Sequence, residues 1–125
     1  MTPACDVSAV AVSSVAEWRC WLARNCRSET HVWLVVRHVR STLPGVRYAE
    51  AIGHALCYGW IDSHARKRDP DSFYLRFSPR RPRSRWSRVN RQRAAAMTDL
   101  GLMTEHGRAA IERAKATGTW QTALP

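Results

Sequence analysis

Four stretches of the chain repeat apolar residues every three or four positions, which is the period of an amphipathic helix. In the first stretch, Ser14 and Glu17 have the spacing of an N-terminal capping box. Trp18, Trp21 and Leu22 follow on one face. Glycine or threonine residues suited to helix ends bound the later stretches. The predicted helices are residues 14–27, 48–58, 84–100 and 104–118.

A period of two residues marks the middle of the chain. Phe73, Leu75 and Phe77 alternate with more polar residues, which is typical of a strand with one buried face. Residues 60–68 and 72–78 predict a β-hairpin around a turn at residues 69–71, and residues 31–39 predict one further buried strand. The pattern indicates an α+β fold, in which a small three-stranded sheet (one β-hairpin plus one further strand) is packed by about four helices.

The length of 125 residues fits one domain. We expect a flexible leader at residues 1–13 and a single folded domain at residues 14–125. The leader lacks the basic segment of a signal peptide, and no stretch reaches the roughly 18 apolar residues of a membrane span. We therefore expect a cytoplasmic protein whose four cysteines are reduced thiols.

The net charge of +10 is concentrated in one region. Residues 63–93 contain eleven basic and two acidic residues, whereas the rest of the chain is nearly neutral. A local excess of this kind indicates a surface that meets an anion. The alternative is a merely solvated face, because a GC-rich genome favours Arg over Lys. Codon bias does not explain why acidic residues avoid this region.

The arginine-rich run at residues 80–86 is the strongest candidate site. Pro79 precedes the run and Pro82 lies within it, and both prolines keep the backbone extended. Guanidinium groups match the geometry of phosphate and carboxylate. The run leads into the third predicted helix, whose N-terminal amides also favour an anion. We expect the guanidinium groups of the run and of that helix to share one exposed surface.

Three further polar residues each have two interpretations. Arg93 lies within the apolar stripe of the third predicted helix, so it either forms an ion pair with Asp62 or Glu50 or contacts a ligand. Asp62 and His64 are two positions apart on a strand and therefore point the same way. That pair is suited either to acid–base chemistry or to a local hydrogen bond.

The cysteines and histidines do not form a metal-binding pattern. His54 and Cys57 are three positions apart, but two ligands do not make a metal site. A reactive thiolate at Cys57 would need a nearby cation or helix N-terminus, so a buried thiol is expected. We expect no metal and no cofactor.

Two long motifs, ALCYGWID at residues 55–62 and RFSPRRPRSRWSRVN at residues 76–90, are joined by YAEA at residues 48–51 and GLMT at residues 101–104. In these motifs the chain resembles the YdeI/OmpD-associated, or bacteriocin-protection, family. The resemblance implies an α+β fold, a bacterial origin and a role in tolerating antimicrobial compounds or envelope stress, but no reaction. The chain departs from the family at Ser63, where glycine is common, and at Arg68, where an apolar residue is common.

Three hypotheses of function follow. The first is a basic binding module for an anionic partner, either nucleic acid or a phosphorylated or carboxylate small molecule. The second is a small-molecule enzyme or ligand-binding protein with a pocket between the hairpin and the third helix. A third, an accessory factor acting through protein partners, is selected by no residue pattern. The family motifs imply as site residues Trp60, Asp62, Arg76, Arg80, Ser84, Trp86 and Asn90. The charge and strand arguments add His64, Arg81, Arg83 and Arg93.

Overall fold

The computed structural model describes residues 9–121 of the chain. This part of the sequence contains five strands and four helices. The strands are β1 (Ala9–Val10), β2 (Val32–Arg37), β3 (Val46–Arg47), β4 (Trp60–Asp69) and β5 (Ser72–Pro79). The helices are α1 (Val15–Asn25), α2 (Tyr48–Leu56), α3 (Arg88–Asp99) and α4 (Glu105–Thr117). The α+β class and the four helices agree with the prediction.

The prediction of a three-stranded sheet is wrong. All five strands belong to one sheet, in which four follow the order β1-β2-β5-β4 and β3 pairs with β2 outside that path. Strand β5 is antiparallel to both of its neighbours, β2 and β4. The additional strands β1 and β3 run parallel to β2 and have two residues each. Two residues are too few to produce an alternation that a sequence pattern could reveal.

The helices and one face of the sheet enclose the main hydrophobic core. Its largest fully buried side chains include Trp18, Trp60 and Phe77, and the rings of Trp18 and Phe77 lie 5.2 Å apart. The buried indole N–H groups are satisfied, because Trp18 donates to the Ala51 carbonyl oxygen and Trp60 to that of Cys26, at 3.0 and 3.1 Å. These bonds fix α1 against both α2 and β4 while large aromatic surfaces are buried.

A close backbone approach holds α4 against the end of α2. A Cβ atom at Gly107 would lie 2.5 Å from the carbonyl oxygen of Cys57 and 2.7 Å from that of Leu56, so only glycine fits without a shift. The backbone N–H and the hydroxyl of Thr104 both donate to the Cys57 carbonyl oxygen. Gly59, with a φ of +78° that favours glycine, then turns the chain into β4 alongside α4.

Helix α3 begins four residues later than predicted. Ser87 is its N-cap and accepts a hydrogen bond from the Asn90 N–H at 3.0 Å, whereas Ser84 lies in the irregular segment before it. The predicted apolar face of this helix is only partly buried, since Val89 and Leu100 are 47% and 69% exposed. Serine is a favoured N-cap residue at either position, so residue type alone does not separate Ser84 from Ser87.

The predicted flexible leader comprises residues 1–13, and its last part contacts the rest of the fold. Ala9 and Val10 pair with β2 opposite Trp33 and Leu34, and Val12 is buried. Residues 1–8 lie outside the described residues. Between residues 9 and 121, none of the helices has both the length and the apolar character needed to cross a membrane.

Replacing Gly107 with alanine tests the contact between α4 and α2. The new methyl group would meet two backbone carbonyl oxygens, so α4 must move. We expect the free energy of unfolding, measured by urea denaturation, to fall by about 2 kcal/mol, although alanine has the better helix propensity.

Ala116, which is exposed on the same helix, provides the control for this substitution. Ala116→Gly should lose only the propensity difference, about 1 kcal/mol. A Gly107→Ala protein as stable as the wild type would contradict the close approach of α4 and α2.

Candidate functional site

The pairing register divides the sheet residues between two faces, because directly opposed residues share a face. Trp33 opposite Arg76 and Val35 opposite Tyr74 point away from the main core. The small hydrophobic cluster on their side contains only strand residues, so no described helix contributes to it. We call this surface the open sheet face. It is formed by Trp33, Val35, His64, Arg66, Tyr74 and Arg76.

A β-bulge brings His64 onto the open sheet face and separates it from Asp62. Asp62 pairs with Phe77, whereas His64 pairs with Arg76, and the register shifts between them. Because adjacent residues of a strand point to opposite faces, Asp62 and His64 lie on opposite sides of the sheet. The prediction that they point the same way is therefore wrong, and they do not form an acid–base pair. The extra residue that reverses the alternation is Ser63.

Arg66, the central arginine of the open sheet face, contacts an aromatic ring and, among the described residues, no carboxylate. The guanidinium carbon of Arg66 lies 5.1 Å from the centroid of the Trp33 ring. Arg76 donates from Nη1 to the Ser63 hydroxyl at 3.3 Å. Among residues 9–121, neither arginine has a carboxylate oxygen within 4.0 Å. A groove of about 310 Å³ is lined by Trp33, His64, Ala65, Arg66 and Arg76.

Two other arginines of the sheet are neutralised near the hairpin turn. Arg37 pairs with Asp71 at 2.9 Å, and Arg68 pairs with Asp69 at 2.8 Å. The Arg68 guanidinium also lies 5.9 Å from the ring centroid of Tyr74, which is buried. The uncompensated positive charge of the open sheet face therefore lies at the end remote from the hairpin turn.

Arg80 is buried, in contrast to its neighbours in the arginine-rich run. It is 7% exposed, and its guanidinium carbon lies 3.9 Å from the centroid of the Trp86 ring. Nη2 donates to the Ser84 hydroxyl at 3.1 Å and to the Arg85 carbonyl oxygen at 2.9 Å. Nε and Nη1 have no hydrogen-bond partner in the described part of the chain. Burial lowers the pKa of Arg80 to about 10, and the charge of Asp62 acts in the opposite direction.

The predicted single basic surface is divided in the structure. Farther along α3, Arg91 lies over the Trp120 ring and Arg93 over the Tyr48 ring, at 5.2 and 5.8 Å. Four other arginines are exposed in or just after the irregular segment that precedes α3: Arg81, Arg83, Arg85 and Arg88. The positive charge is thus distributed over the open sheet face, the segment before α3, two sides of α3 and the buried Arg80.

Arg93 forms neither of its predicted ion pairs. No carboxylate oxygen of Asp62 or Glu50 lies within 4.0 Å of it. Instead, Arg93 donates to Oδ1 of Asn90 at 2.9 Å and covers Tyr48. Burial and the Asp62 carboxylate raise the pKa of Tyr48, whereas the charge of Arg93 lowers it. Arg93 of α3 therefore contacts Asn90 and the Tyr48 ring, and the charge of Asp62 in β4 also acts on Tyr48.

Trp60 and Trp86, two of the site residues that the family motifs imply, are each 1% exposed. Trp86 packs edge-on against Trp120 with 4.9 Å between ring centroids. A cavity of about 160 Å³ does adjoin Trp60, but it lies against α4. We call it the Arg80 cavity. Its lining includes Tyr58, Gly59, Trp60, Arg80, His106 and Arg113.

His54 and Cys57 lie beside an arginine. Nη1 of Arg19 is 3.0 Å from Nδ1 of His54, and Nη2 donates to the Leu102 carbonyl oxygen at 2.9 Å. Burial, followed by the charge of Arg19, lowers the pKa of His54, and burial raises the pKa of the Cys57 thiol. Over residues 9–121, no three His, Cys, Asp or Glu side chains are grouped so that they could hold a metal ion.

Sequence reasoning did not identify Trp33, Arg66, His106 or Arg113 as site residues. Strand β2 is so rich in valine and leucine that it predicts burial on both sides, which conceals the outward position of Trp33. Arg66 became recognisable only once the bulge was known. His106 and Arg113 come from α4, far along the chain from Arg80, and no local pattern connects them.

The neutral form of His54 makes stability depend on pH. Its pKa in the folded protein is below the ordinary value of 6.5, so the unfolded state takes up the proton first as the pH falls. The contribution is therefore present above about pH 6.5 and is lost below it. Between about pH 7.5 and pH 5, the wild type should lose stability relative to His54→Gln, since glutamine can accept from Arg19 but does not titrate. Parallel curves of unfolding free energy against pH would contradict this account.

Comparison with known proteins gives one family. Residues 10–110 match the family described as a domain of unknown function (DUF8412), a stretch that includes the whole open sheet face and Arg80. No curated protein and no solved structure is significantly similar to the chain. Nothing in the family's description connects it with the YdeI/OmpD-associated family, so that resemblance stays a prediction. The match spans most of the chain, and the protein belongs to the DUF8412 family.

Proposed function

We propose that this protein is a basic binding module for an anionic partner, and that the partner is single-stranded nucleic acid bound on the open sheet face. The observation that carries the proposal is the position of Arg66 and Arg76 beside the Trp33 ring. Among residues 9–121, no carboxylate oxygen lies within 4.0 Å of either arginine. Positive charge combined with an aromatic ring is what proteins use to bind single strands.

The electrostatic part of the proposal concerns the phosphates. Each phosphate that a guanidinium group neutralises releases condensed counterions, and this release supplies much of the affinity of a basic protein for nucleic acid. The net charge of +10 attracts a polyanion over a longer range and increases the rate of encounter. His64, exposed opposite Arg76, adds a further polar group beside the groove.

The aromatic part concerns the bases. The Trp33 ring is partly exposed, and the Arg66 guanidinium that covers it provides a second flat surface. Unpaired bases stack on aromatic rings and on guanidinium planes, whereas the bases of a duplex are already stacked on each other. The groove of about 310 Å³ is at the small end of ligand pockets, a size that suits one base.

A cytoplasmic location goes with this proposal, since nucleic acid is the partner. The role in antimicrobial or stress tolerance that the resemblance to the YdeI/OmpD-associated family implies is a separate proposal. This role requires only that the bound nucleic acid, or its metabolism, responds to antimicrobial compounds or envelope stress.

The salt dependence of binding tests the proposal. For a fluorescein-labelled single-stranded RNA of about 12 nucleotides, two to three phosphate contacts on this face predict a slope of about −1.4 to −2 in a plot of log Kobs against log salt concentration. Fluorescence anisotropy at increasing NaCl concentrations gives this slope. No measurable binding at low salt, or a slope near zero, would contradict the proposal.

A pair of double variants locates the binding surface. Arg66→Ala with Arg76→Ala should reduce the steepness of the slope by about 1.4, because two phosphate contacts are lost. The matched control is Arg24→Ala with Arg27→Ala, which removes two exposed charges near the end of α1. If the control weakens binding as much as the first pair, the open sheet face is not the binding surface.

A further inference from the structure

The Arg80 cavity is a second candidate site. The start of β4 and the end of β5 form one side of it, and α4 forms the other. The close approach at Gly107 holds α4 in this position. Three of the residues that line the cavity, Pro79, Ala109 and Arg113, are exposed, so the cavity reaches the surface of the protein.

Arg80 lines this cavity and carries a buried positive charge with two donor groups that have no partner among residues 9–121. Its neighbours within hydrogen-bond distance are the neutral oxygens of Ser84 and Arg85, both bound by Nη2. The Trp86 ring holds the face of the guanidinium but offers no acceptor in its plane. Nε and Nη1 therefore remain without a partner among residues 9–121. Leaving buried donors of a charged group unsatisfied is strongly unfavourable.

The surroundings add to the positive potential. Arg113 and His106 line the same cavity from α4, and neither has a carboxylate oxygen within 4.0 Å in the described chain. Asp62 is the carboxylate whose charge acts on Arg80, but it is also farther than 4.0 Å from it. The cavity thus combines several donors with no close negative charge.

The size of the cavity limits what can fill it. Its volume of about 160 Å³ is below the roughly 300 Å³ at which pockets for whole small molecules begin. It equals the space of about five water molecules. One oxyanion with a water or two fits this space, and a whole nucleoside does not.

We propose that the Arg80 cavity binds a phosphate group, either inorganic phosphate or the terminal phosphate of a larger molecule that extends outward past Arg113. The phosphate oxygens accept hydrogen bonds from Arg80, Arg113 and His106, and a bidentate contact with a guanidinium group is favourable for this ligand. The lowered pKa of Arg80, about 10, is consistent with a cation that lacks its counter-charge. The site is separate from the open sheet face and does not depend on nucleic-acid binding there.

Thermal unfolding of the full chain in inorganic phosphate tests the proposal, with NaCl keeping the ionic strength constant. We expect the melting temperature to rise by about 5 °C when phosphate is at ten times its Kd. Arg80→Met keeps an apolar chain against Trp86 but removes the donors, so it should abolish the rise. Without phosphate, Arg80→Met should be at least as stable as the wild type, because an uncompensated buried charge is gone.

A wild type whose melting temperature does not respond to phosphate would overturn the proposal, and so would an equal response in Arg80→Met. A large loss of stability in phosphate-free Arg80→Met would also overturn it, because Arg80 would then serve only to bind Ser84 and Arg85. Arg113→Ala, at an exposed position, should fold normally and bind phosphate about tenfold more weakly. Unchanged phosphate affinity in Arg113→Ala would exclude the α4 side of the site.

Two further comparisons separate this site from the open sheet face and identify its ligand. Arg66→Ala with Arg76→Ala should keep phosphate affinity, and Arg80→Met should keep RNA affinity. If the sheet variant loses phosphate binding, the cavity is not the phosphate site, although the proposal of nucleic-acid binding is unaffected.

Calorimetry identifies the ligand of the cavity. Tighter binding of methyl phosphate than of inorganic phosphate would assign a terminal phosphate, and the reverse order would assign the free ion. Acetate binding as tightly as either would overturn the assignment to phosphate.

Discussion

Aromatic rings, more often than carboxylates, hold the ordered guanidinium groups of this protein. Within residues 9–121, guanidinium groups form six cation–π contacts and two ion pairs. The chain has 20 basic and 10 acidic residues, so many cations cannot find an anion of their own. A ring fixes a guanidinium group through its face, and leaves the charge and the in-plane N–H groups available.

This arrangement has different consequences at the two candidate sites. On the open sheet face, Arg66 over Trp33 is exposed to solvent, so water hydrates its charge and a flexible polyanion can reach it. At Arg80, the ring of Trp86 is fully buried with the guanidinium group against it, so hydration of this charge is restricted and a small anion stabilises it more. The difference in burial of the two arginines therefore suits the open sheet face to a long ligand and the Arg80 cavity to a single anionic group.

Helices and strands that are long enough to repeat their apolar pattern several times could be predicted from sequence. Features that depend on a single residue could not. The helices and the hairpin follow from the apolar positions. The bulge at Ser63 reverses the direction of the side chains that follow it in β4, up to a second register shift after Lys67. The only sequence indication of the bulge is the glycine expected at this position in the resembled family. Likewise, the run at residues 80–86 was recognised as basic. Arg80 alone among the arginines of the run is buried, because tertiary packing places Trp86 and α4 against it.

The most direct test of the account is NMR of the arginine Nε–H groups, because it reports each guanidinium separately. The account predicts that single-stranded RNA shifts the resonances of Arg66 and Arg76, and that inorganic phosphate shifts that of Arg80. Shifts confined to the exposed residues Arg81, Arg83 and Arg85 with both ligands would contradict it. They would mean that charge alone, and not its positioning by aromatic rings, determines where anions bind.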